Sequence, residues 1–275
     1  MELEIVIKES LLSHFRPANS SKAGPMFSDQ CAQVKRTGEM MLNPDGSWPH
    51  PTNRHMNDEP VIAPRTSAAT WLGLFISLFG MLLVRQLVNY IWATQTLTSA
   101  MAKEAGMWVI AVILLVIVRF GEGLPFSSVG LGTARWMKSI LWGLVIAIIC
   151  FGVAGVLIAL TGFNGGENGK ALARLPLWLI TLIVIRAGAV EELCYRGYAI
   201  ERLEALGLPA WLSAAIPLAI FSVGHWTGGW ANIVIALALG GILAIFYLRR
   251  RDLAANMIGH FLVDFAGNVL PKLFS

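Results

Sequence analysis

The chain has 275 residues, 56% hydrophobic and only 14% charged, with a mean hydropathy of +0.63 and a net charge of +4. A soluble domain carries about 25% charged residues, so an ordinary soluble enzyme and a disordered protein are excluded. Three scattered cysteines with no CxxC also exclude a disulfide-rich secreted module. The fold class that remains is all-α, a polytopic membrane helical bundle.

Residues 1–70 carry a net −1 and residues 71–275 a net +5. The first segment reads as a polar, largely disordered cytoplasmic tail, with loop chemistry at Asn43–Gly46, Trp48–Pro51, Pro60 and Pro64. Glu2, Glu4 and Glu9 stand where the basic start of a secretory signal would lie, so none is expected. Glu2–Phe15 reads as a short amphipathic helix frayed at the terminus, and His14, His50 and His55 as solvated. Cys31, Cys150 and Cys194 read as reduced thiols.

From Trp71 onward the apolar runs suit a bilayer and predict about seven helices, near 71–93, 105–120, 136–161, 175–199, 209–225, 230–248 and 253–271. Residues 71–174 are expected to hold the N-terminal membrane helices, and 175–275 the core that carries the chemistry. Nine of ten tryptophans follow residue 70, seven of them near the ends of these spans. Arg65, Arg119, Arg135, Lys138, Arg202 and Arg249–Arg251 fall on one side, against Lys103, Lys170, Arg174 and Lys272 on the other. That bias puts the N-terminus in the cytoplasm and the C-terminus outside. The basic excess belongs to loops at a lipid surface. No Lys/Arg stripe is interleaved with aromatics, so nucleic acid is not an expected partner.

A charged side chain at the centre of a membrane helix costs about 2.5–3.5 kcal/mol on lenient scales. The residues that bear this cost are therefore informative: Arg85, Arg186, Glu191, Glu192, Arg196, His225, His260 and Asp264. Glu192 and Arg196 are one helical turn apart in the favoured order and predict an ion pair. Glu191 points about 100° away and is expected to stand unpaired, free to act as a general base. In the alternative, both glutamates serve ion pairs, with Arg186 reaching Glu191 across five residues. His260 and Asp264 are i,i+4, so the carboxylate can orient the imidazole. Phe221 and His225 share a face in the same way. Glu191 with water, assisted by His225, makes a hydrolytic pair, and His260 with Asp264 can serve a developing oxyanion. The same residues, Glu191, His225 and His260, are instead an expected ligand set if Zn²⁺ is bound. Cys194, beside two carboxylates, is a poor thiolate and reads as packing.

Glu191-Glu192-x-x-x-Arg196, Phe221-x-x-x-His225 and His260-x-x-x-Asp264 occur in this order on successive hydrophobic helices. The chain thereby resembles the CPBP family, the CAAX-protease and bacteriocin-processing (Abi) intramembrane proteases. It is similar in particular to the type II CAAX prenyl endopeptidases. The resemblance covers about 175–271, with a looser echo of the family's polar connector in Arg119–Gly132. It implies a membrane protease in which Glu191 activates water, His225 assists, and His260 with residue 264 stabilises the oxyanion. It also implies membrane lipid and a peptide or lipidated-protein substrate as partners. Prenyl endopeptidases carry Asn in the third motif, whereas this chain has Asp264. An anionic Asp cannot donate, so Asp264 must be protonated, bind a cation or orient His260. The expected function is an intramembrane endopeptidase, with a non-catalytic immunity or scaffold protein of the same fold as the alternative. A proton-coupled transporter would show paired halves, and no such repeat is present. A bacterial plasma membrane is the expected location.

The Gly224, Gly228 and Gly229 turn is expected to dip into the protein interior and bring His225 to Glu191, with Pro217 bending the preceding helix.

Overall fold

The computed structural model describes residues 67–92, 94, 96–132 and 136–274. The readings made for the tail, including Glu2–Phe15, its three histidines and Cys31, lie outside the described residues, as do Arg65 and Arg135. The described residues all belong to one unit, Val61–Ser275.

Helix α1, Ala68–Ile91, begins where Ser67 accepts a hydrogen bond from the Thr70 amide. Helix α2, Leu97–Val116, starts with a reciprocal Thr96–Ser99 capping box and runs on through a π-helical turn, Ile117–Gly121. A connector with the 3₁₀ turn Phe126–Val129 leads towards α3, Trp136–Thr161, and the short α4, Gly166–Ala173. Helix α5, Leu177–Arg186, continues through two π-helical segments, Ala187–Glu191 and Leu193–Tyr198, into Ala199–Ala205. Helix α6 is Ala210–Val223 and α7 is Trp230–Arg250. Helix α8, Leu253–Asp264, is capped by Asp252 and extends through a π turn to Leu273.

Among the described residues, α1, α2, α3, α7 and α8 with their continuations are long and apolar enough to cross a membrane. Two of the predicted spans differ. Helix α5 carries the charged motif, and α6 has only 14 residues. At 1.5 Å per residue α6 is about 21 Å long, short of a hydrocarbon core of about 30 Å. Helix α6 alone is therefore too short to span it.

That turn is not buried as the glycines led us to expect. Val223, Trp226 and Trp230 are 60%, 61% and 68% exposed, and His225 is half-buried. The turn lies on the outside of the bundle, held from α1 by Arg85, whose Nη1 donates to the Gly224 carbonyl at 3.1 Å. Arg202 also departs from its expected place in a loop. It is 2% exposed and clamps Glu122 at 2.8 Å and the Ser128 carbonyl at 3.1 Å, while Tyr198 donates to Glu122 at 2.9 Å. A buried Arg needs such a carboxylate, and the polar connector supplies it.

Glycines set the spacing of the helices that carry the chemistry. A Cβ on Gly143 would lie 2.6 Å from Ile258, and one on Gly259 would lie 2.6 Å from Ile146, so α3 and α8 touch through small residues. A Cβ on Gly188 would lie 2.9 Å from the Met257 carbonyl oxygen and 3.0 Å from the Phe261 Cβ. Gly188 thus lets the π turn bearing Glu191 rest on the backbone of α8. Gly188→Ala is expected to destabilise the protein by about 1–3 kcal/mol through overpacking, read as a lower thermal midpoint in detergent. An unchanged midpoint would show that the two helices can part without cost.

Candidate active site

The two π-helical segments of α5 decide where its glutamates point. A π turn closes i→i+5, so a residue five positions on stands over its partner. Arg186 accordingly pairs with Glu191 across Ala187–Glu191. The expectation of an unpaired Glu191 is therefore corrected: it assumes 3.6 residues per turn, and the local pitch is that of a π turn. Arg186 also donates from Nε to Glu104 of α2 at 3.2 Å. The described Glu191 contact uses Oε1.

Glu192 lies on the buried side of the same helix with no exposure. Its Oε1 accepts from Arg196 Nη1 at 2.7 Å and from His260 Nδ1 at 2.8 Å, and its Oε2 accepts from Asn256 Nδ2 at 3.2 Å. Arg196 Nη2 donates to the Gly240 carbonyl at 3.0 Å, and its guanidinium sits 4.8 Å over the Phe221 ring. A Cβ on Gly240 would come within 3.0 Å of Arg196 Nη2, so the glycine is what admits the guanidinium. Burial of this charged set is bearable because each polar atom has a partner.

His260 is oriented differently from the sequence expectation. The carboxylate bonded to its ring is Glu192, whereas Asp264 Oδ2 lies 3.6 Å from Nε2, beyond a hydrogen bond. A carboxylate oxygen accepts, so Nδ1 carries a proton and Nε2 is left for Asp264 or a ligand. His225 is fixed from its own helix: its Nδ1 lies 2.8 Å from the Phe221 carbonyl oxygen. That oxygen can only accept, which puts the proton on Nδ1 and leaves Nε2 for chemistry. Asn232 Nδ2 donates to the His225 carbonyl at 3.0 Å and steadies the turn.

Phe221 is the hub, with His225 4.7 Å and His260 6.4 Å away between ring centroids. Two cavities meet at this ring. One of about 80 Å³ is lined by Arg85, Arg186, Glu191, Tyr195, Phe221 and His225 among others. The other, about 140 Å³, is lined by Phe221, His225, His260 and Asp264 against an apolar wall that includes Ile235 and Leu239. His225 belongs to both.

The Zn²⁺ ligand set does not fit. Glu191 is held by Arg186. Among the described residues no group of three or more His, Cys, Asp or Glu is placed to hold a metal ion. Cys194 is fully buried in the core cluster. Asn256 and Glu104 escaped the sequence reading. Asn256 stands one turn before His260, and that i,i+4,i+8 polar stripe with Asp264 was the available signal. Nothing in the sequence marks Glu104 as a partner of Arg186, because the two are 82 residues apart.

Residues 173–266 match the family model for type II CAAX prenyl endopeptidase Rce1-like proteins. No curated protein and no solved structure matches the chain. The matched stretch encloses all three motifs together with the helices that gather them around Phe221, and it supports assigning this C-terminal segment to the CPBP family of CAAX proteases.

Proposed function

We propose that this protein is an intramembrane endopeptidase that hydrolyses a peptide bond with water activated by Glu191. Its substrate in this reading is a prenylated CAAX-type tail or another membrane-borne peptide. The supporting observation is the pair of adjoining cavities, with Glu191 and His225 on one wall and His225, His260 and Asp264 on the other. Arg186 fixes the Glu191 carboxylate. Its other oxygen holds the water, takes its proton as the water oxygen bonds to the scissile carbonyl carbon, and passes that proton to the departing amine. His225 Nε2 positions the water. His260, held by Glu192 at Nδ1 and protonated on both ring nitrogens, donates from Nε2 to the oxyanion, and the Asp264 carboxylate 3.6 Å away offsets the charge of the ring. Within the expected division of the chain, this chemistry belongs to residues 175–275. The Lys/Arg bias, with Arg202 removed from it, still favours a cytoplasmic N-terminus, and a bacterial plasma membrane is the proposed location.

The test is incubation of the purified protein in lipid with a prenylated and an unprenylated C-terminal peptide in ¹⁸O-water. Cleavage that places one ¹⁸O in the new carboxylate, and that persists with a chelator, is the expected result. Intact peptides throughout would remove the enzymatic reading and favour the scaffold alternative.

A further inference from the structure

Arg85 is a charge the proposed mechanism does not use. It stands on α1, a helix long and apolar enough to cross the membrane, where an uncompensated cation is costly. Among the described residues it lies within 4 Å of no carboxylate. Its one described hydrogen bond, from Nη1 to the Gly224 carbonyl, uses one of the five N–H donors of a guanidinium. Arg186 shows the contrast, since it lines the same cavity and is paired with both Glu104 and Glu191. Glu104, Glu191 and Arg186 together carry one net negative charge, so an anion entering beside them is repelled unless Arg85 receives it. The remaining donors of Arg85 have the planar fork that binds a carboxylate through two parallel hydrogen bonds.

We propose that Arg85 receives the free C-terminal carboxylate of the peptide, seating the departing end of the substrate in the smaller cavity while its apolar part occupies the larger one. This rests on the endopeptidase reading above and adds a requirement for a free chain end. His225, which lines both cavities, then stands where the bond to be cleaved passes from one to the other. The departing segment is short, because Arg85 bonds the carbonyl of Gly224, the neighbour of His225, and a chain spans at most about 3.3–3.6 Å per residue.

The experiment measures binding apart from turnover. A prenylated peptide with an N-methylated scissile bond is prepared as the free acid and as the C-terminal amide, and each is titrated into the full chain in detergent. The acid is expected to bind about tenfold or more tightly than the amide, the size of one charge-assisted bidentate pair. In Arg85→Gln the acid-to-amide ratio falls to near one, and in Arg85→Lys a smaller preference remains. Equal affinities in the unsubstituted protein, a ratio unchanged by Arg85→Gln, or no binding of either peptide would each overturn the proposal. Cleavage of the unmethylated peptides reports separately. A preference lost in Arg85→Gln without any hydrolysis would uphold the carboxylate site and sink the protease reading. Hydrolysis with no acid preference would do the reverse.

Discussion

Glu191→Gln is expected to lower kcat by about 10²–10⁴-fold, the usual contribution of a positioned general base, with KM little changed. Glutamine keeps the size of the side chain and a carbonyl that accepts from Arg186, but it cannot take a proton from water. Arg186 retains Glu104 at 3.2 Å, so the guanidinium is not left without a carboxylate and the fold persists. The thermal midpoint of the variant provides the check on that point. Glu191→Asp is the sharper control. It preserves the charge and withdraws the carboxylate by one methylene, a misplacement of the order of 1 Å that can cost about 10²-fold. Steady-state kinetics on the prenylated peptide decide the matter. Wild-type turnover in the glutamine variant would take the base away from Glu191.

The sequence exposed the chemical residues because hydrocarbon makes them expensive. Eight ionisable side chains in otherwise apolar helices are conspicuous, and the order of seven of them along the three C-terminal helices is legible before any geometry. The helical bundle followed from composition, and the bounds of α3 came out as read, Trp136–Thr161. What escaped was pitch and length. A π turn leaves no mark in a hydrophobic pattern, so Glu191 was turned away from Arg186 when in fact it is held by it. Helix α6 ends at Val223 because the Gly224–Gly229 stretch breaks it, and His225 lines the cavities of Glu191 and of His260 from a half-buried position in that turn, not from a buried one. The partners of the charged residues were hidden for a different reason. Glu104 with Arg186 and Glu122 with Arg202 are about 80 residues apart in the chain. No local rule links residues so distant, and their pairing depends on how the helices pack.

Arg196→Ala is expected to be the most destabilising single change in the described core, costing about 3–5 kcal/mol as the breaking of a buried ion pair does. For a protein of this size that corresponds to a fall in thermal midpoint of about 10 °C. The cause is less the lost attraction than the charge left behind. Glu192 has no exposure, and without Arg196 its carboxylate retains only His260 and Asn256. The Gly240 carbonyl loses its donor and the Phe221 ring its cation at the same time. A double variant, Glu192→Gln with Arg196→Met, removes both charges and fills the guanidinium's space with an unbranched apolar chain. It is expected to recover at least half of the loss, because replacing a buried pair outright is often close to neutral. The same variant still turns over slowly, since a glutamine oxygen holds the His260 Nδ1 proton less firmly than a carboxylate. Tryptophan fluorescence melts in detergent, run beside peptide hydrolysis, separate the two effects. A single variant that melts with the unsubstituted protein would show that Glu192 finds another counter-charge, and the buried pair would then be no part of what holds α5 against α7 and α8.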